Sequence, residues 1–384
     1  MISVSKSSMY SVIAFMTVIV AFADVEGQNL ELKLLNVVFR HGDRTPDNNG
    51  YELYPNDPYF NSDFYPTGLG ELTNNGKTRE YQLGQFLRQK YDRFLGKFYT
   101  PNVLEALSSD YRRTKASLQL VLAGLYPPVF IQRWNNILKW QPIPTEYIPR
   151  LYDNLFLADE CPRFLDEYNK VLELPEVKEE LAEFDGFNAK LTELTGKNIS
   201  TPLDMYYLYH TLVAESSMNL PLPQWAYSIF PYGRLYDGII FAYRVANYNT
   251  LLKKIYGGAF LRKIVDNMGA HVDGTLEKGT KIFLYSGHET NIASLLNTLN
   301  VYRPHVPEYS SAVLIELLAE KDKYYVKVLY YMGIPSQVKE LKLPNCEVLC
   351  PLERFLHLTA DVTPTDKDMI CDKTKTDAYA DQKP

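Results

Sequence analysis

A short apolar run that stops at a dense polar cluster does most to limit how this chain can fold. Leu34 to Phe39 has the length and β-branched content of a strand. It ends at Arg40-His41-Gly42-Asp43-Arg44-Thr45-Pro46, where a histidine is packed between two arginines and beside a glycine. An apolar strand that feeds a charged turn is what an α/β domain uses where a site lies at a strand's carboxyl end. Two arginines flanking one histidine suit a phosphate held against a nucleophilic imidazole.

The rest of the chain alternates in a way that supports such a domain. Asp47 to Gly70 is rich in Pro, Asn, Asp and Tyr and reads as a long loop beside the site. Thr73 then N-caps a helix whose apolar stripe is Leu83, Leu87, Tyr91 and Phe94. Val103 to Ser109 reads as a second strand, with Asp110 as the cap of a following helix that Pro127-Pro128 ends. Strand, helix, strand, helix implies a mainly parallel, doubly wound sheet with right-handed crossovers and flanking helices. From 161 to 268 the pattern turns helical, as at Phe164, Leu165, Tyr168, Val171 and Leu172. The expected organisation is an α/β domain in two halves, 24–160 and 269–360, with a smaller helical domain inserted at 161–268. A strand at Lys281 to Ser286 and a helix carrying Ile292, Leu295, Leu296 and Leu299 reopen the sheet. Ala312 to Leu318 and Tyr324 to Tyr331 form a hairpin through Glu320-Lys321-Asp322-Lys323. The polar tail, 361–384, is expected to be disordered except where Cys371 is tied down.

A net charge of −6 argues against a nucleic-acid partner, so the positive charge that matters is local. Lys6, the apolar run Tyr10 to Phe22 and the small-x-small site Ala21-Phe22-Ala23 read as a secretory signal over residues 1–23. That run is too short for a membrane span, and none of spanning length follows it, so a secreted protein without a membrane anchor is expected. Cys161, Cys346, Cys350 and Cys371 make an even set, which in an exported chain favours two disulfides over zinc. The C-x-x-x-C spacing has no histidine nearby to complete a metal site. Four cysteines permit three pairings, and spacing alone does not choose between them.

Three polar clusters fall just past a strand and at the start of a helix: Arg40 to Arg44, Asp110-Tyr111-Arg112-Arg113, and His288-Glu289. In a doubly wound sheet such positions converge on one crevice. Hydrolysis of a phosphate ester there needs a nucleophile, clamps on the phosphate oxygens and an acid for the leaving alcohol. His41 can attack through one ring nitrogen if a backbone carbonyl holds the other. Arg40, Arg44 and one of Arg112 or Arg113 supply the clamps, since neighbouring helical positions cannot both point inward. His288 adds a donor and Glu289 the acid, with no metal or other cofactor required. His210, His271, His305 and His357 lack comparable company and read as structural or surface histidines.

Val38 to Pro46 closely resembles the R-H-G-x-R-x-P signature of the histidine acid phosphatases, and His288-Glu289 resembles the distant pair that accompanies it. The resemblance continues through Leu72 to Gly76, Ser109 to Thr114, Trp140 to Pro144 and Cys346 to Phe355, nearly the whole mature chain. With the export signal and Tyr-rich loop, the chain looks most like secreted insect acid phosphatases, venom forms included. The resemblance implies a phosphohistidine on His41, phosphate held by Arg40, Arg44, Arg113 and His288, and Glu289 as the acid. It selects Arg113 over Arg112 and implies the pairs Cys346–Cys350 and Cys161–Cys371. Related phosphatases are often dimers, so a homodimer is expected on resemblance alone. Many carry Asp at the acid position; Glu also occurs in inositol-phosphate phosphatases, which makes a phytase-like enzyme one alternative. Asp47 to Gly70 contains no Lys or Arg, which argues against that polyanionic substrate. A secreted binding protein with a dead site is a second alternative, and the intact residue set speaks against it. Asn198-Ile199-Ser200 is a glycosylation sequon.

Overall fold

The computed structural model describes residues 30–47, 50–333 and 336–375. The expected signal peptide and the end of the tail lie outside these residues. The strands are β1 (Glu31–Arg40), β2 (Leu104–Ser109), β3 (Glu146–Ile148), β4 (Ile282–Gly287), β5 (Ala312–Glu320), β6 (Lys323–Tyr331), β7 (Val338–Leu341) and β8 (Leu349–Pro351). They form one mixed sheet in the order β3-β2-β4-β1-β5-β6-β7, with β8 also paired to β6. The neighbours β3-β2, β2-β4 and β4-β1 are parallel. The rest of the sheet, from β1–β5 outward, is antiparallel.

Helices cover both faces. Helix α1 (Asn74–Leu95) and α2 (Arg112–Leu125) precede the helical stretch of α3 (Pro162–Leu172), α4 (Pro175–Ala182), α5 (Asp185–Thr195), α6 (Pro202–Ser217), α7 (Arg234–Ala246), α8 (Thr250–Ile255) and α9 (Gly257–Val272). After β4 come α10 (Glu289–Thr298) and, near the end, α11 (Leu352–Thr359). β1 is buried on both sides, as the middle of an α/β sheet requires. Leu35, Val37 and Phe39 pack with Leu83 and Leu87 of α1 and Leu118 and Val121 of α2. Leu34 and Val38 face the other way, onto Ile264 and Met268 of α9 and Ile292 and Leu295 of α10. The polar member of that face, Asn36, accepts through Oδ1 from Asn267 of α9 at 2.8 Å. A separate apolar cluster joins α3 to α8 and takes in Tyr54 from the 47–70 loop.

Two expectations need correction. Asp110 does not cap α2: the N-cap is Tyr111, without a side-chain cap bond, and Asp110 pairs with Lys115 instead. The helix starts one residue too late for Asp110 to occupy the cap position. The described part of the tail is also folded rather than disordered. Asp368 pairs with Arg163 at 3.0 Å, and the buried Lys373 reaches Glu160 at 3.2 Å. Polar composition alone does not keep a segment open when its charges find partners. Disulfides join Cys161 to Cys371 and Cys346 to Cys350. The first closes a loop of 210 residues. In the chain-entropy account a loop that long contributes about 5 kcal/mol.

Candidate active site

The parallel register brings the strand ends together. Arg40 lies opposite Gly287 and Ser108 opposite Ser286, so β1, β2 and β4 stop at one level. The turn after β1 continues the ladder once more, with the His41 N–H donating to the Gly287 carbonyl at 3.0 Å. It then rests on the first turn of α1. A Cβ on Gly42 would sit 2.5 Å from the Gly76 carbonyl oxygen, and one on Gly76 would sit 2.1 Å from that of Asp43. Only glycine allows this approach. Thr73 secures it, accepting from the Gly76 N–H at 3.1 Å while its own N–H donates to the Asp43 carbonyl at 2.9 Å. The buried Asp43 carboxylate meets Arg79 at 3.2 Å. Asp43 is thus a brace for the turn.

Arg40, His41, Arg44, Arg113, His288 and Glu289 come together, each between 1% and 8% exposed. His41 Nδ1 lies 2.8 Å from the Gly42 carbonyl. A carbonyl only accepts, so Nδ1 carries the proton and Nε2 keeps its lone pair. Burial, then Arg113, Arg40, His288 and Arg44, push the His41 pKa well below the ordinary value, which favours the neutral ring. His288 N-caps α10, its backbone N–H donating to Asn291 Oδ1 at 2.8 Å. Its Nε2 is hydrogen-bonded to Ser109 Oγ at 3.0 Å. Burial, reinforced by Arg113, lowers its pKa to about 3. The two imidazole centroids are 5.6 Å apart.

Each arginine is held from behind. Arg44 forms a two-pronged pair with Glu52, at 2.8 and 2.5 Å. Arg113 meets Asp47 at 2.9 Å and lies over the Tyr111 ring. Arg40 donates to the Pro307 carbonyl at 2.6 Å and stacks 4.0 Å from the Tyr309 ring centre. What these partners leave over is informative. Arg40 Nε and Nη2, Arg44 Nε and Arg113 Nε are buried without a hydrogen-bond partner in the protein. Buried charged donors are costly to leave unmade, and the three arginines that carry them all act on the His41 imidazole. An oxyanion would satisfy them together. Arg112, by contrast, is 87% exposed in its side chain and pairs with Glu71.

Glu289 is more embedded than its place in a two-residue motif suggests. Its carboxylate lies 3.6 Å from Arg40 Nε and 3.5 Å from His210 Nε2, and it accepts from the Tyr206 hydroxyl. Burial works to raise its pKa, but His210, Arg40, Tyr206 and His288 outweigh it and hold the carboxyl well below the usual range. The expectation that His210 is an ordinary structural histidine needs correction: folding brings it from α6 to within 3.5 Å of the Glu289 carboxylate at the start of α10. Glu52, Asp47, Tyr206 and Tyr309 likewise escaped sequence reading. The only signal was the spacing of Tyr206 and His210, one helical turn apart on a segment with no other site residue. His305 and His357 lie away from this cluster, His305 bonded to the Tyr330 hydroxyl. Among the described residues no cluster of His, Cys, Asp and Glu has the makings of a metal site.

Residues 31–331 match the Histidine phosphatase superfamily (branch 2), and the chain belongs to these histidine acid phosphatases. Among its relatives is venom acid phosphatase Acph-1 of the honeybee Apis mellifera, 54% identical over 365 residues, 95% of this chain and 94% of the relative. Human prostatic acid phosphatase is 32% identical over 346 residues, 89% of this chain and 88% of the relative. Among solved structures, the apo phytase of Hafnia alvei superposes with a TM-score of 0.66 at 16% identity, over 88% of this chain and 98% of that one. The last likeness speaks for the fold alone.

The pairing of the arginines yields a stability test. Removing one partner of a buried pair costs about 3–5 kcal/mol, whereas exposed pairs contribute about 0–1 kcal/mol. Glu52→Ala should therefore lower the urea midpoint strongly and Arg112→Ala hardly at all. Equal midpoints for the two variants would contradict the picture of Arg44 as a buried, externally clamped charge.

Proposed function

We propose that the protein is a secreted acid phosphatase that hydrolyses small phosphate monoesters through a phosphohistidine on His41. One observation carries the reading: a neutral imidazole with a free Nε2 lone pair, surrounded by unpaired N–H groups of Arg40, Arg44 and Arg113. Those N–H groups bind the phosphate oxygens and stabilise the charge of the in-line transition state. Nε2 attacks phosphorus, the N–P bond forms and the ester P–O bond breaks. Glu289 gives its proton to the departing oxygen, which leaves as the alcohol. Water then attacks the phosphohistidine, Glu289 takes the water's proton, and inorganic phosphate departs with His41 restored.

An acidic working range follows from the two charge states. Because the His41 pKa is pushed down, the nucleophile resists protonation as the pH falls. Glu289, ionised in the empty site, must gain a proton before the leaving group can depart. Bound phosphate helps, since it draws Arg40 away and adds negative charge beside the carboxyl. A small monoester fits better than a polyphosphorylated inositol. Asp47 and Glu52 set carboxylates behind the clamps, and the 47–70 loop carries no Lys or Arg.

Export is supported by the two disulfides and by the likeness to a venom protein, and no described helix is long and apolar enough to cross a membrane. In a secreted protein the exposed Asn198 is a glycosylation acceptor. Glycosidase treatment of the insect-expressed protein should increase its gel mobility, and Asn198→Gln should abolish the change; unchanged mobility argues against a glycan there. The functional test is His41→Ala, which should abolish release of phosphate from an aryl phosphate. Turnover at the wild-type rate would overturn the assignment.

A further inference from the structure

His210 belongs to none of the family's signature segments in this chain, yet its ring lies beside the leaving-group acid. It lies on α6, is 1% exposed, and neither of its ring nitrogens has a hydrogen-bond partner. A buried imidazole with both nitrogens unsatisfied is costly unless it has work to do. Its Nε2 faces Glu289 at 3.5 Å, a distance that a small rotation of either side chain closes to a hydrogen bond. Tyr206, one helical turn earlier, bonds the same carboxylate oxygen and packs 4.6 Å from the His210 ring centre.

Resting on the phosphatase reading above, we infer that His210 is a positioning residue that holds and delivers the proton of Glu289, and does so only when phosphate is bound. The charges around it supply the trigger. From β1 comes Arg40, from the turn after it Arg44, from α10 Glu289, and from α6 itself the rings of Tyr206 and Tyr209. Tyr243 of α7 faces the same carboxylate. In the empty site burial lowers the His210 pKa to about 3; Glu289 opposes this, and Arg40 and Arg44 add to it. A phosphoryl group bound to Arg40 and Arg44 cancels the two opposing cations and leaves Glu289 as the dominant neighbour. The His210–Glu289 pair then takes up one proton from solvent. It rests between Nε2 and the carboxylate, moves fully to the carboxylate as the ester P–O bond breaks, and passes to the alcohol oxygen. After water attacks the phosphohistidine, the proton it sheds returns to the same pair. Glu289 is thus charged while the site is empty and armed when the substrate arrives.

The test is His210→Gln, which keeps a donor of similar reach but cannot titrate. Measured as kcat/KM, the variant should lose about tenfold to a hundredfold on an alkyl ester such as glycerol 2-phosphate. It should lose much less on p-nitrophenyl phosphate, whose leaving group needs little protonation. The alkaline limb of its pH profile should move to lower pH, because Glu289 alone gives up its proton earlier than the pair. The second ionisation of the substrate is common to both proteins, so the displacement reports the pair. Equal losses on both esters, or an unmoved limb, overturn the inference. If the variant does not fold, the ring ¹⁵N shifts of His210 in the wild-type protein with saturating inorganic phosphate decide. They should change through the pH range of the limb, and shifts that stay flat there overturn it. Failure of the phosphatase reading would look different: the wild-type protein would then hydrolyse neither ester.

Discussion

The parallel pairing of β1 with β4 is the interaction on which the rest of the site depends. It sets Arg40 against Gly287, so that the next residues of both strands, His41 and His288, emerge side by side. The His41 N–H extends the ladder to Gly287, and the His41 carbonyl accepts from Ser310 at 3.3 Å. With its backbone bonded on both sides, the nucleophile cannot drift. The close approach of Gly42 to Gly76 then locks the turn to α1. Positioning of this kind lets an enzyme meet the transition state without reorganising at the moment of reaction.

The second constraint is charge. Three arginines in a buried site would repel one another and carry a heavy desolvation cost if left alone. Glu52, Asp47 and Glu289 offset that cost while leaving chosen N–H groups unpaired. The same carboxylates orient the guanidinium planes. Glu289 does more, because it also has to change protonation state. Its neighbours Arg40 and Tyr206 hold it ionised in the absence of substrate, which sets the empty site apart from the working one.

Much of this was legible from residue order. The apolar run into Arg40-His41-Gly42-Asp43-Arg44 marked the strand end, and Thr73 marked the start of α1, because both depend on local chemistry. The choice between Arg112 and Arg113 followed from helical geometry plus family likeness, and one of the two is indeed solvent-exposed. What stayed hidden came from distant segments. His210 is separated from Glu289 by α7, α8, α9 and β4, and no local pattern announces their meeting. Glu52 sits in a loop whose composition suggested only irregular structure, yet its carboxylate fixes Arg44. Asp110 shows the converse: a good capping residue lies one position before the cap and pairs with Lys115 instead.

The central claim is that His41 carries the phosphoryl group in transit. Rapid mixing with a ³²P-labelled aryl phosphate, quenching in alkaline denaturant and mapping of the labelled peptide tests it directly. A label that is acid-labile, base-stable and confined to the peptide containing His41 is the predicted result. A label on another residue, or rapid turnover with no labelled protein at any quench time, would contradict it.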